Sequence, residues 1–403
     1  MTQQGFDRGW FVVAGLFLVL TISSGFGFYN LSVYIAVLAA EQGFAISQVS
    51  VAVSLFFVVG GVAGIGVAQL LDRFDVRWIM VGGAALAGVG LGLSGYARSL
   101  SELYALFLLF GVGNAGVSIV VSTTLVTRWF PGRQRSVALS VASTGLSMGG
   151  VIVTPICARL LNDAGAVTMM PWFGAAFFFC IVPVVLAVIR DGRMLSSTGL
   201  QTLEVQGWLY RDAVKSRFFR LITAAYLLCM LSQVGGISHL YSRAEIATDY
   251  LIAATAVQAL SAMSIVSRIL GGFIVQRISL RSFALGNLLG QASGLALLAL
   301  AEGPVLVLAG AGLFGATVGN LLMLHPLWLA EAFGGRAYAK IFSVSNAYTV
   351  LGVGGGPILL GLLYDASGYR LSYGFAAAVS LLAAVLMFAA GRGPGKSLVP
   401  AGQ

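Results

Sequence analysis

Two stretches of this chain, QLLDRFDVR at residues 69–77 and FIVQRISLR at residues 273–281, resemble each other and decide how the sequence is organised. Each follows a long apolar run and precedes another, and the two arginines of the first stretch align with two of the second. Two more junctions recur in the same order at nearly the same spacing, namely RWFPGR at 128–133 with EAFGGR at 331–336, and Asp163 with Asp365. Three repeated junctions predict two pseudo-symmetric halves.

The composition determines what surrounds these halves. Of 403 residues, 58% are hydrophobic and only 9% are charged, more apolar surface than a water-soluble core can absorb. The apolar runs lack the alternation of a membrane β-barrel. A membrane span needs about 20 mostly apolar residues. The sequence therefore predicts an all-α integral membrane protein with twelve spans, at 10–38, 46–71, 78–97, 103–127, 135–160, 170–190, 219–242, 251–275, 282–301, 304–330, 337–363 and 371–391.

The first apolar run is expected to remain as span 1. It is much longer than the apolar region of a secretory signal peptide, and it carries Tyr29, Asn30 and Tyr34. The three cysteines (Cys157, Cys180 and Cys229) all fall inside predicted spans without a CxxC spacing. Disulfides, a metal site and a cofactor are therefore not expected.

The basic residues predict the orientation. With the N-terminus in the cytoplasm, most of the 23 Lys and Arg residues lie on the cytoplasmic side, and the exceptions are four outside (Arg98, Arg159, Arg243, Arg370) and Arg268 within the membrane. The acidic residues divide evenly, so the bias is the positive-inside signal. Both termini are expected in the cytoplasm of a bacterium, with the chain in its inner membrane. The basic residues form no continuous stripe, which argues against nucleic-acid binding.

The longest polar break separates the predicted halves. It divides the chain into a six-helix bundle at 1–190, a cytoplasmic connector at 191–218, a second six-helix bundle at 219–391 and a cytoplasmic tail at 392–403. Residues 208–217 of the connector form either a short amphipathic helix at the membrane surface or a solvated linker.

The stretch Asp72-Arg73-Phe74-Asp75-Val76-Arg77 resembles the loop signature of the major facilitator superfamily, Gly-x-x-x-Asp-Arg-x-Gly-Arg-Arg, with Ala68 and Asp75 in place of its two glycines. The resemblance implies a transporter in which Asp72, Arg73 and Arg77 belong to a cytoplasmic charge cluster that holds one conformation closed. The alternative is an ordinary positive-inside loop.

Within that superfamily the chain resembles the monocarboxylate carriers and oxalate/formate antiporters. The similarity is carried by residues 128–135, by Ser264 and Arg268 in span 8, by His239 in span 7 and by residues 363–368. Members of these groups use an arginine of span 8 to hold a substrate carboxylate, and Arg268 stands at that position. Two features depart from the pattern: Ser264 replaces the carboxylate of the animal carriers, and the basic residue that some relatives carry in span 1 or span 11 is absent.

Arg268 is also notable without the resemblance, because a lone charge inside a membrane costs several kcal/mol. It precedes Gln276 by eight residues, a rise of about 12 Å, which is further than its side chain comfortably reaches to the interface. Binding of a substrate carboxylate is the favoured interpretation, and interhelical bonding is the alternative. One buried cation favours a monocarboxylate over a dicarboxylate.

The remaining candidate site residues are polar or aromatic side chains in the middle of spans. With Arg268 and Ser264, the expected substrate site comprises Tyr29, Asn30, Asn114, Ser118, Gln233, His325, Trp328, Asn346 and Tyr348. Each could instead join helices or anchor an interface. Buried Asp and Glu are absent from the spans, so a proton would be carried by His239 or His325, whereas exchange of one anion for another needs no proton carrier.

The sequence thus predicts a monomeric secondary transporter of a small organic anion, working by proton symport or anion exchange. A carrier of a neutral metabolite or drug is the alternative. An enzyme is not expected, because no catalytic constellation is present in the spans.

Overall fold

The computed structural model describes residues 3–130, 134–191, 207–391 and 393–394. Most of the predicted connector and tail, and the turn at 131–133, lie outside these residues. The described chain is helical almost throughout, in α1 (Gln3–Ser24), a π-helical turn (Gly25–Tyr29), α2 (Leu31–Gln42), α3 (Ile46–Arg73), α4 (Val76–Ser94), α5 (Leu100–Ala115), α6 (Ile119–Trp129), α7 (Gln134–Ala164), α8 (Ala166–Val188), α9 (Tyr210–Lys215), α10 (Arg217–Ala247), α11 (Tyr250–Ile274), α12 (Leu280–Leu300), α13 (Pro304–Phe333) and α14 (Tyr338–Ala390).

Eleven segments of the described chain are long and apolar enough to cross a membrane. The last, Lys340–Ala390, has 51 residues and is interrupted at Ser367 and Gly368, where the backbone leaves helical geometry. Gly368 has a φ of 76°, a conformation that favours glycine. Since a span needs about 20 residues, α14 supplies two spans and the total is twelve, as predicted.

Two predicted spans are interrupted. Span 1 changes register at the π-helical turn, and span 4 breaks between α5 and α6. At the second break Ser118 caps α6, because its Oγ accepts a hydrogen bond from the backbone N–H of Val120 at 3.3 Å. Both breaks place polar groups inside an apolar segment, where irregular backbone is tolerated if it is surrounded by protein or lines a cavity.

The helices group into two units. Unit 1 consists of Met1–Leu200 with Ser238–Ala262, and unit 2 of Gln201–Ile237 with Met263–Gln403. The end of α10 and the start of α11 therefore group with unit 1. In unit 1, α4 packs on α5 and α8, α3 on α5, and α1 on α7. In unit 2, α12 packs on α13 and α14.

Small residues allow the helices of each unit to approach closely. In unit 1, a Cβ on Gly90 of α4 would lie 2.6 Å from the backbone nitrogen of Phe110. In unit 2, a Cβ on Gly294 of α12 would lie 2.6 Å from the backbone nitrogen of Phe314. Both distances are shorter than real carbon contacts, so a larger residue would force the helices apart.

A buried polar network stabilises unit 2. The Gln291 side chain of α12 donates to Ser232 of α10 at 2.9 Å and to Ser380 of α14 at 3.3 Å. An unbonded polar group is costly inside an apolar bundle, which favours hydrogen bonds between such side chains. The network therefore ties three helices together.

Candidate functional site

Arg268 lies on α11, next to α13. Ser264 is one turn before it and is fully buried. Arg268 is half-buried, and its Nε atom is buried. A Cβ on Gly319 of α13 would lie 3.0 Å from that Nε. The arginine side chain therefore passes directly over the backbone of α13 within unit 2.

His325 is at the centre of a second polar group in unit 2. Its Nε2 is 2.8 Å from Oγ of Ser345, which is 2.9 Å from Oγ1 of Thr223. The ring stacks on Tyr226 with 4.3 Å between centroids. These contacts join α10, α13 and α14. Thr223 and Ser345 were not among the predicted site residues, because isolated hydroxyl side chains are common in membrane helices and carry no distinctive sequence signal.

The other predicted site residues of unit 2 are in different environments. Trp328 lies one turn after His325, is buried and packs against Phe218, so it belongs to the hydrophobic core. Gln233 is buried, and its Oε1 has no hydrogen-bond partner among the described residues. Asn346 and Tyr348 are exposed side chains of α14. The structure does not bring these last two into the His325 group.

The predicted site residues of unit 1 gather around the π-helical turn. Tyr29 is buried, and a Cβ on Gly150 of α7 would lie 2.8 Å from its ring. Asn114 faces the same turn, since a Cβ on Gly27 would lie 3.1 Å from its Oδ1. Asn30 follows the turn, is fully buried and donates to the hydroxyl of Tyr34 at 3.5 Å.

Asn30 and Asn114 share a chemical feature with Gln233. The amide oxygen of each is buried and has no hydrogen-bond partner within the described residues. Buried polar atoms are nearly always bonded, so each oxygen is an acceptor available to water or a ligand. Ser118 is less available, because its hydroxyl donates to the carbonyl of Ala115 at 2.8 Å.

His239 lies in the part of α10 that groups with unit 1. It is fully buried, and its Nε2 is 3.3 Å from Oγ of Ser50 on α3. In the part of α11 that also groups with unit 1, Gln258 donates to the carbonyl of Val151 on α7 at 2.9 Å. His239 is thus a titratable group inside the bundle with a hydroxyl neighbour, an arrangement that can transfer or hold a proton.

A charge cluster forms at the face of unit 1 that is predicted to be cytoplasmic. Arg128, at the end of α6, forms ion pairs with Asp191 after α8 and with Asp72 at the end of α3, the latter at 3.6 Å. It also donates to the carbonyl of Leu71 at 2.9 Å. A positive charge is favourable at the C-terminal end of a helix, where Arg128 lies in α6. Arg128 also compensates the negative charge of Asp72 at the C-terminal end of α3.

The loop signature indicated only part of this cluster. Asp72 belongs to it, whereas Arg73 is exposed and Arg77 is 3.9 Å from Asp75 at the start of α4. Arg128 and Asp191 were not predicted as gating residues. Arg128 and Asp191 could have been recognised in the sequence because each is a charged residue at the end of an apolar run.

The described residues contain no group of three or more His, Cys, Asp or Glu side chains that could hold a metal ion.

The chain is similar in sequence to known transporters. The chain is 27% identical over 393 residues to monocarboxylate transporter 13 of Bos taurus, covering 93% of this chain and 87% of that protein. It is 26% identical over 197 residues to the oxalate:formate antiporter of Oxalobacter formigenes, covering 49% of this chain and 45% of the antiporter.

The fold matches a solved transporter. The structure of a bacterial homologue of the human lysosomal transporter Spinster, in an inward-facing and unoccupied conformation, has a TM-score of 0.73 at 16% identity and covers 96% of this chain and 97% of that one. The sequence model of the Major Facilitator Superfamily matches residues 17–327. The chain is therefore a multi-pass membrane transporter that belongs to the major facilitator superfamily.

Proposed function

We propose that this transporter carries a small organic anion, and specifically a monocarboxylate, with Arg268 as the group that binds the carboxylate. The observation that carries the proposal is the position of Arg268 in the apolar helix α11, with its Nε buried beside Gly319. A guanidinium presents a planar fork of donors that matches the two oxygens of a carboxylate. Holding this charge inside a membrane protein is costly, and such residues commonly mark a transport pathway.

Two further observations support an anionic substrate. The names of the two relatives describe carriers of monocarboxylates and of oxalate and formate. A single intramembrane arginine compensates one negative charge, which favours a monocarboxylate over a dianion.

Transport proceeds by alternating access, with both termini in the cytoplasm of the bacterial inner membrane. The charge cluster that includes Asp72 stabilises one conformation, and Arg73 and Arg77 contribute positive charge to the same face. In proton symport His239 carries the proton, whereas anion exchange needs no proton carrier. The transporter acts as a monomer.

Uptake into proteoliposomes tests the proposal. Purified protein would be reconstituted and offered radiolabelled lactate, pyruvate, acetate, formate and oxalate, with and without a pH gradient. We expect saturable uptake of at least one monocarboxylate. Arg268→Gln should abolish it, because losing a charged hydrogen-bonded partner costs roughly 2–5 kcal/mol, and Arg268→Lys should retain weak binding at most.

A matched control is Arg370→Gln, which removes the same charge from an exposed position in unit 2. This variant should transport like the wild type. Near wild-type binding by monodisperse Arg268→Gln would contradict the proposal and favour a neutral metabolite or drug as the substrate.

A further inference from the structure

We infer that Gly319 of α13 is a positioning residue for anion recognition, because its missing side chain leaves the space through which the Arg268 guanidinium reaches the substrate. The inference rests on the proposed role of Arg268. It adds a requirement on a different helix: position 319 must carry no Cβ for the arginine to keep its orientation.

The contacts around Gly319 are specific to the candidate site. A Cβ built there would lie 3.0 Å from Nε of Arg268, 3.0 Å from Oγ of Ser264 and 2.7 Å from the carbonyl oxygen of Ser264. All three atoms belong to the single turn of α11 that carries the arginine. Since unstrained carbon contacts are about 3.5 Å or longer, even a methyl group would displace this turn or the arginine side chain.

The adjacent residue limits how α13 could adjust. Asn320 donates to Oδ1 of Asn287 on α12 at 3.1 Å and to the carbonyl of Ala316 at 3.3 Å. It also packs directly over Gly271 of α11, one turn beyond Arg268. The two helices therefore contact each other in the same way from both sides: Arg268 of α11 packs over Gly319 of α13, and Asn320 of α13 packs over Gly271 of α11.

Because Asn320 holds α13 against α12, the displacement falls on the α11 side of the interface. The closest contact is the backbone carbonyl of Ser264 at 2.7 Å, so the turn of α11 must shift, and the Arg268 side chain shifts with it. A guanidinium that is turned by its neighbour loses the paired, coplanar hydrogen bonds to a carboxylate, although its charge remains. Gly319 therefore contributes to affinity by orientation.

The test compares Gly319→Ala with Gly312→Ala. Gly312 lies earlier on α13 and faces the same helix, but a Cβ there would meet only Met263 at 3.8 Å, an ordinary contact. Binding is measured by scintillation proximity with the monocarboxylate of the panel that the wild type binds most tightly. Gly319→Ala should weaken binding about tenfold or more, and Gly312→Ala should stay within about twofold.

One further measurement separates orientation from general damage. Phenylglyoxal, which modifies arginine, is applied without substrate, and the modified Arg268 peptide is quantified by mass spectrometry. Its rate of modification should change by about threefold or more in Gly319→Ala and remain unchanged in Gly312→Ala.

The outcomes distinguish this inference from the proposed function. If Arg268→Gln abolishes binding while Gly319→Ala changes neither binding nor phenylglyoxal reactivity, the inference fails and the proposed function stands. If Arg268→Gln binds normally, the proposed function is wrong, and the inference, which depends on it, is wrong as well. Should Gly319→Ala not give monodisperse protein in detergent, the phenylglyoxal measurement is made on the protein in native membranes, and an unchanged rate of Arg268 modification there would overturn the inference.

Discussion

Arg128→Gln should destabilise unit 1 far more than Asp72→Asn, although the loop signature contains Asp72. The side chains of Arg128 and Asp191 are only 12% and 18% exposed, whereas Asp72 is 81% exposed. Burial determines how strongly solvent screens an ion pair. The largely buried pair should therefore dominate the stability of the cluster.

The magnitudes follow from these contacts. Replacing Arg128 removes a charged hydrogen bond to Asp191 and another to the carbonyl of Leu71, and it leaves a mostly buried carboxylate without its cation. Losses of this kind cost roughly 2–4 kcal/mol. Asp72→Asn breaks only an exposed pair at 3.6 Å, which contributes at most about 1 kcal/mol.

The native cysteines supply the assay. Cys157 in unit 1 and Cys229 in unit 2 are buried, whereas Cys180 is exposed and would be replaced by serine. A thiol-reactive fluorophore then reports unfolding on heating, and mass spectrometry assigns the label to each cysteine. Arg128→Gln should lower the midpoint for Cys157 by on the order of 5 to 10 °C, and Asp72→Asn by far less. Equal shifts for the two variants would refute the argument that burial determines the effect.

Two other predictions concern topology and coupling. In a cysteine-free background, single cysteines in the 191–218 connector should react with an impermeant maleimide only after the cytoplasmic face is exposed, and strong labelling of intact cells from outside would overturn the orientation. His239→Gln should remove any acceleration of uptake by a pH gradient while leaving anion counterflow intact, because only net proton movement needs a titratable group. Retained acceleration would exclude His239 as the proton carrier.

The number and order of the spans could be predicted because the membrane constrains them strongly. An apolar run of sufficient length has few alternatives to a transmembrane helix, and the repeated junctions predict two halves. The breaks inside the spans could not be predicted in this way. Hydropathy averaged along a segment does not reveal that Gly25–Tyr29 is π-helical or that Ser118 caps a new helix.

Arg268 could be singled out as a candidate because a charge within a membrane helix is costly wherever the helix lies. Its neighbour Gly319 could not, since a glycine in a chain with 53 of them carries no signal until the facing helix is known. The same limit explains the charge cluster. The loop signature is local in sequence, but the cation that pairs with Asp72 comes from α6.

This difference has a physical basis that bears on substrate recognition. Sequence reasoning detects residues whose own chemistry is out of place in lipid, and these are the residues that can bind a charged substrate. It does not detect residues that act by leaving space, because their effect depends on the helix that faces them. In unit 2 a charged residue and a residue without a side chain are in contact, because Arg268 of α11 packs over Gly319 of α13. The proposed roles of Arg268 and Gly319 predict that carriers of the same substrate class have an arginine in span 8 together with a small residue facing it in span 10, since charge alone does not orient a guanidinium.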